Sequence, residues 1–187
     1  VLVATAVAFP GKPEVVGARF LASLLAAMAV GMVWARWGRD ELLGRARRGH
    51  THGGSKWSVL AGTAQHDLLH AGGFLIIGAA TAATLQTAVP RNVLDAVADR
   101  EVLAVLALAA LAVVMAICSE ADAFIAASLT QFSLSARLAF MVVGPMVDVK
   151  LIALQAGTFS GRFAVRFAPL TFVAAVASSI LVGWWLL

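Results

Sequence analysis

Val102–Gln155, VLAVLALAALAVVMAICSEADAFIAASLTQFSLSARLAFMVVGPMVDVKLIALQ, decides the reading of the chain. It opens with an unbroken apolar run, Val102 to Ile117, and then breaks into Cys118-Ser119-Glu120-Ala121-Asp122. Apolar sequence resumes at Ala123 to Leu129, pauses at Thr130 to Ser135, and resumes at Leu138. A second polar insertion follows at Pro145-Met146-Val147-Asp148-Val149-Lys150. In a bilayer, ionisable side chains are costly and are kept for a path, a site or a pairing. Three acids and a lysine inside so apolar a stretch point to the functional heart of a membrane protein.

The rest of the chain supports that class. Of its 187 residues, 61% are hydrophobic and 13% charged, and the mean hydropathy is +0.90. A soluble domain carries about 25% charged residues. Runs of roughly 17 to 25 apolar residues cross a hydrocarbon core. Phe20–Ala35, Ala71–Val89, Val102–Ile117, Phe167–Leu187 and the interrupted Leu138–Gln155 approach or meet that length. The expected fold is all-α: a polytopic helical membrane protein in the lipid bilayer, with a broken or re-entrant helix around Cys118–Asp122. The net charge of +4 is not a nucleic-acid signal, because no basic patch interleaved with aromatics accompanies it. No catalytic triad, zinc-protease motif or phosphate loop is present, so neither enzyme, cofactor nor metal centre is expected. The single cysteine makes no intrachain disulfide.

Four regions follow in order. Residues 1–9 have the character of the end of a transmembrane helix whose beginning is missing, since they are apolar from the first position and too short to span. Residues 10–37 form a transmembrane helix, with Arg19 placed to snorkel and Trp34 and Trp37 as interfacial anchors. Residues 38–56 are a basic loop, cytoplasmic by the positive-inside rule. Residues 57–187 are the membrane domain with the broken helix. Within it, His66, Asp67 and His70 share a helix side and form a secondary polar cluster, suited either to proton handling or to hydrogen bonding at a helix end.

The break admits two geometries. The helix ending near Ile117 either continues across the membrane as a half-helix, Ala121–Leu129, or turns back as a re-entrant hairpin. Arg162 and Arg166, with no acids beside them, favour a cytoplasmic position for the following loop and hence the hairpin. Ser119 and Asp122 fit an N-cap and the N3 position of a capping box, which explains only part of the motif. Glu120 and Asp122 also suit a proton or substrate path, with Lys150 as their expected counter-ion. Cys118 is either a small buried hydrophobe or a soft ligand for a metalloid. Gly144-Pro145 should kink the next helix. An internal echo relates Val149–Trp185 to Val1–Trp34: apolar helix end, short break, Arg-Phe, Ala-rich span, Gly near Trp. Two related halves are a recurrent transporter plan.

Cys118-Ser119-Glu120-Ala121-Asp122-Ala123-Phe124, Ala139-Phe140, Gly144-Pro145, Asp148 and Lys150 together resemble the second half of the predicted-permease family that includes the organoarsenical efflux permeases. The stretch Gly73 to Pro90 is also similar to that family. The resemblance implies a bacterial inner-membrane permease of two related halves. It also implies export of a small solute or ion, and a transport set of Cys118, Ser119, Glu120, Asp122, Pro145, Asp148 and Lys150. The partner would be a missing N-terminal half or a homologous chain. The alternative is a non-transporting scaffold or complex subunit whose polar residues serve helix packing.

Overall fold

The computed structural model describes residues 1–37, 57, 60–62, 64–65, 80, 84 and 97–187. The basic loop 38–56 and the cluster His66, Asp67 and His70 lie outside the described residues. The described elements are all helical: α1 (Leu2–Ala8), α2 (Pro13–Trp37), α3 (Glu101–Met115), α4 (Ala121–Ser128), α5 (Leu134–Met146), α6 (Val149–Thr158) and α7 (Gly161–Leu186). Three helical spans among them are long and apolar enough to cross a membrane: Pro13–Arg36, Gly161–Leu186, and α5 joined with α6, Leu134–Gly157.

Local sequence sets most boundaries. Pro13 opens α2, where its missing N–H is no loss. Ser133, Asp148 and Ser160 cap α5, α6 and α7 by accepting from Ala136, Leu151 and Phe163 N–H. α3 ends at Ala116, whose φ of 47° is left-handed without being glycine. That conformation costs about 1 to 2 kcal/mol for a residue with a Cβ. It turns the chain sharply out of the helix.

Directions follow from named contacts. A Cβ on Gly144, near the end of α5, would lie 3.7 Å from Ala112 near the end of α3. Because α3 and α5 pack along each other, they run in parallel. The same Cβ would lie 3.7 Å from Asp122 at the start of α4, whereas Arg137 near the start of α5 donates to Ala126 and Ala127 at the end of α4. α4 is therefore antiparallel to α5, and so to α3. The chain rises through α3, doubles back through α4, and rises again through α5. Of the two geometries the sequence leaves open, the chain adopts the hairpin.

The long helices complete the bundle. Trp34 near the end of α2 meets Phe163 and Phe167 at the start of α7 edge-on, at 4.9 and 5.2 Å. Gly183 near the end of α7 lies against Ser135 at the start of α5. α7 thus runs opposite to α2 and α5. The end of α2, which leads into the basic loop, lies on the same side as Arg162 and Arg166. Alanines line the contact faces of α2 and α3 (Ala18, Ala22, Ala26, Ala104, Ala109, Ala112) and are fully or almost fully buried. Small residues let backbones approach closely where lipid gives no hydrophobic drive.

The helix from Leu134 does not merely kink at Gly144-Pro145. It ends at Met146, and Val147 and Asp148 are extended, with φ of −145° and −141°. Pro145 removes one backbone donor, and Asp148 restarts the helix as a cap. The span therefore consists of two half-helices.

Candidate functional site

The centre is assembled from two breaks. The first, Ala116 to Glu120, separates α3 from α4, and the second, Val147–Asp148, separates α5 from α6. Gly144 beside Asp122 brings them to one level. Four helix ends converge there: the carbonyl ends of α3 and α5, and the amide ends of α4 and α6. Irregular backbone inside a membrane protein persists only where its polar groups are satisfied. Here Cys118 carbonyl oxygen accepts from Ala121 and Asp122 N–H, at 3.0 and 3.1 Å. Asp148 carboxylate accepts from Leu151 N–H.

At this junction lies a buried ion pair that the sequence alone does not assign. Arg19 Nη2 donates to both carboxylate oxygens of Asp122, at 2.7 and 3.0 Å, and to the Ser119 carbonyl at 2.9 Å. Its Nη1 donates to Thr5 Oγ1 at 2.7 Å. Arg19 is 1% exposed and Asp122 2%. Arg19 therefore does not snorkel to the headgroups: its guanidinium turns inward, because a buried carboxylate offers more than solvent at that depth. The same pair corrects the expectation that Lys150 neutralises Asp122. Lys150 is exposed on α6, and Asp122 is held by α2.

The other expected residues divide. Ser119 does not cap α4; Glu120 occupies the cap position without a side-chain bond, and Ser119 Oγ faces Glu120 Oε2 at 3.3 Å. The capping box gives way because Asp122 turns to Arg19 instead of back along its own helix. Glu120 is exposed. Cys118 is half-buried. Pro145 is exposed, and Asp148 is buried in its capping role. Among the described residues no group of three His, Cys, Asp or Glu side chains converges as a metal site.

Arg137 is a second buried cation outside the sequence-derived set. Nε donates to Ala126 carbonyl at 2.6 Å and Nη2 to Ala127 carbonyl at 3.0 Å. Its guanidinium lies 4.8 Å from the Phe9 ring centroid. It satisfies carbonyls that α4 leaves unpaired at its end. The returning half-helix is thus held at its start by Arg19 and at its end by Arg137. A charge inventory of the apolar segments would have flagged both arginines, since each must find an acid or carbonyls once inside.

The family model described as "Predicted permease" matches residues 1–184. The chain belongs to this ArsP-like permease family. It is 35% identical over 189 residues to the UPF0718 protein YcgR of Bacillus subtilis (strain 168), covering 97% of this chain and 64% of that protein. It is 33% identical over 118 residues to a Streptococcus mutans protein named "Putative two-component membrane permease complex subunit", covering 63% of this chain and 39% of that protein. The chain thus spans less than two thirds of the length of either relative. No solved structure matches it. Permease membership, bacterial relatives and three membrane-long spans make it a multi-pass protein of the bacterial inner membrane, in a family of permeases and not of enzymes.

Proposed function

We propose that this chain forms the broken-helix half of a secondary permease that exports a small solute of the metalloid or organoarsenical class, coupled to protons. The observation that carries the reading is the buried Arg19–Asp122 pair where two helix breaks meet. Discontinuous helices whose ends face a shared site are recurrent substrate-binding elements in transporters. Asp122 and Glu120 supply carboxylates for proton exchange. Cys118 and Ser119 supply a thiol and a hydroxyl at the same break. A single thiol makes no closed soft-ion site, so a second ligand comes from the remainder of the permease.

The order of helices supports a two-half assembly. The α1–α2 pair, a short helix then a long one, echoes α6–α7 in sequence and runs in the opposite sense, since α2 is antiparallel to α7. Inverted repeats of this kind build alternating-access transporters. The counterpart of α3–α5 comes from further sequence or from a homologous chain.

The test is arsenic retention in cells given a trivalent methylarsenical, comparing wild type with Asp122→Asn and Glu120→Gln. Lost export with normal membrane assembly supports the permease reading. Lost assembly, with no export difference among the variants that do assemble, supports a scaffold role, which the name of the Streptococcus relative keeps in view.

A further inference from the structure

Arg19 holds three elements together at the break: α1 through Thr5, the α3–α4 connection through Ser119 carbonyl, and α4 through Asp122. A merely structural cation in a membrane bundle needs no such position. Here the bond to Asp122 ties a continuous helix, α2, to the one half-helix that doubles back, at the level where the chain is least regular. We infer that Arg19 is a tethered counter-ion that competes with the coupling proton for Asp122, so that protonation unlatches α2 from the start of α4.

The surroundings of the carboxylate make this exchange specific. From α2 it faces Arg19; from α5 it faces Gly144, which does not titrate. The nearest other charge on its own segment is Glu120, which is exposed. Arg19 is the cation whose charge favours the ionised form of Asp122. When a proton adds to Asp122, the pair changes from neutral to a net charge of +1, because guanidinium does not deprotonate. The charge-assisted bonds to both carboxylate oxygens then weaken, because a neutral carboxyl accepts less strongly, and the bonds to Thr5 and the Ser119 carbonyl do not by themselves hold the break closed. The guanidinium is left with an uncompensated charge beside the carbonyl ends of α3 and α5, where cations are favoured. Arg19 is thus a positioning residue that acts through Asp122. The inference rests on the transport-site reading above.

The test uses Cys118 as a reporter, because it precedes the carbonyl that Arg19 holds. The full-length protein in lipid nanodiscs is treated with a membrane-impermeant maleimide, and labelling of the Cys118 peptide is timed by mass spectrometry. Wild type is compared with Arg19→Gln/Asp122→Asn, which removes both charges and leaves no buried ion unpaired. The double variant labels about tenfold faster than wild type at about pH 8, as an unlatched population does, and the ratio falls towards one at about pH 5. Labelling of each denatured protein at the same pH supplies the reference rate. A ratio of one at both pH values, or a large ratio that does not change with pH, overturns the latch. If the double variant does not assemble, hydrogen exchange of residues 118–128 in wild type decides: protection lost on acidification, after correction for intrinsic rates, supports the latch, and unchanged protection overturns it. A pH-invariant ratio in a protein that still exports removes the latch alone. A pH-dependent ratio in a protein without export removes the permease reading and leaves the latch.

Discussion

Replacing Arg137 with Met tests whether the returning half-helix is held by its carbonyl end. Methionine keeps much of the apolar stem and removes the guanidinium. Two carbonyls, of Ala126 and Ala127, lose charged donors now at 2.6 and 3.0 Å. Each buried acceptor left unsatisfied costs about 1 to 3 kcal/mol. The ring face of Phe9, 4.8 Å away, loses a cation worth about 0.5 to 2 kcal/mol. Together these give a loss of about 2 to 6 kcal/mol, taken below the simple sum because neighbouring contributions are not additive. About 2 to 4 °C of melting temperature accompanies each kcal/mol in a domain of this size, so R137M should melt roughly 4 to 24 °C lower. Fluorescence-detected size-exclusion thermal stability measures the shift, and hydrogen exchange of residues 121–133 locates it. Arg137→Lys, with a cation but no fork, should recover part of the loss. A variant that melts within about 2 °C of wild type, with unchanged exchange in α4, would refute the reasoning.

Other outcomes follow from local geometry. Gly183→Ala would place a Cβ 2.8 Å from Ser135 Oγ and 3.3 Å from Ser135 Cα; forcing α7 from α5 should cost about 1 to 3 kcal/mol, and Ser135→Gly should relieve much of it in the same thermal assay. Asp148→Ala removes the cap of α6 and should cost about 0.5 to 2 kcal/mol, whereas Asp148→Asn should remain near wild type; circular dichroism melts distinguish them. Ala116→Gly relieves the left-handed backbone at the end of α3 and should raise stability by about 1 kcal/mol, provided that the added freedom of the unfolded chain does not offset it. A lowered melting temperature would contradict that assignment.

The sequence was most legible where chemistry is local. Pro13 marks a helix start, and Ser133, Asp148 and Ser160, which the structure shows as caps, act on backbone groups within three residues. The break at Cys118 to Glu120 was visible because acids interrupt an apolar run. The hairpin was favoured by Arg162 and Arg166, expected in a loop but placed by the structure in the first turns of α7; that signal rests on topology and so reaches further than any local pattern. The capping box at Ser119 and Asp122 was misleading for a related reason. Both residues have the right spacing, and a longer-range partner outweighs the local bond that spacing permits.

What the amino-acid sequence determined by itself was the class of protein, the break near Cys118 and a distortion near Pro145, which the structure makes a second break. Apolar run length, proline and capping residues fix these through hydrophobicity and backbone hydrogen bonding, which do not depend on distant parts of the chain. Only tertiary structure decided how the charges pair. Arg19 and Asp122 are separated by 103 positions, and the sequence pointed to Lys150 as the partner and to the headgroups for Arg19. The packing of α2 along the bundle brings Arg19 to the break, and the return of α4 turns Asp122 towards it. A buried charge takes the partner that geometry delivers, because leaving it unpaired in a low-dielectric interior costs more than any local alternative returns.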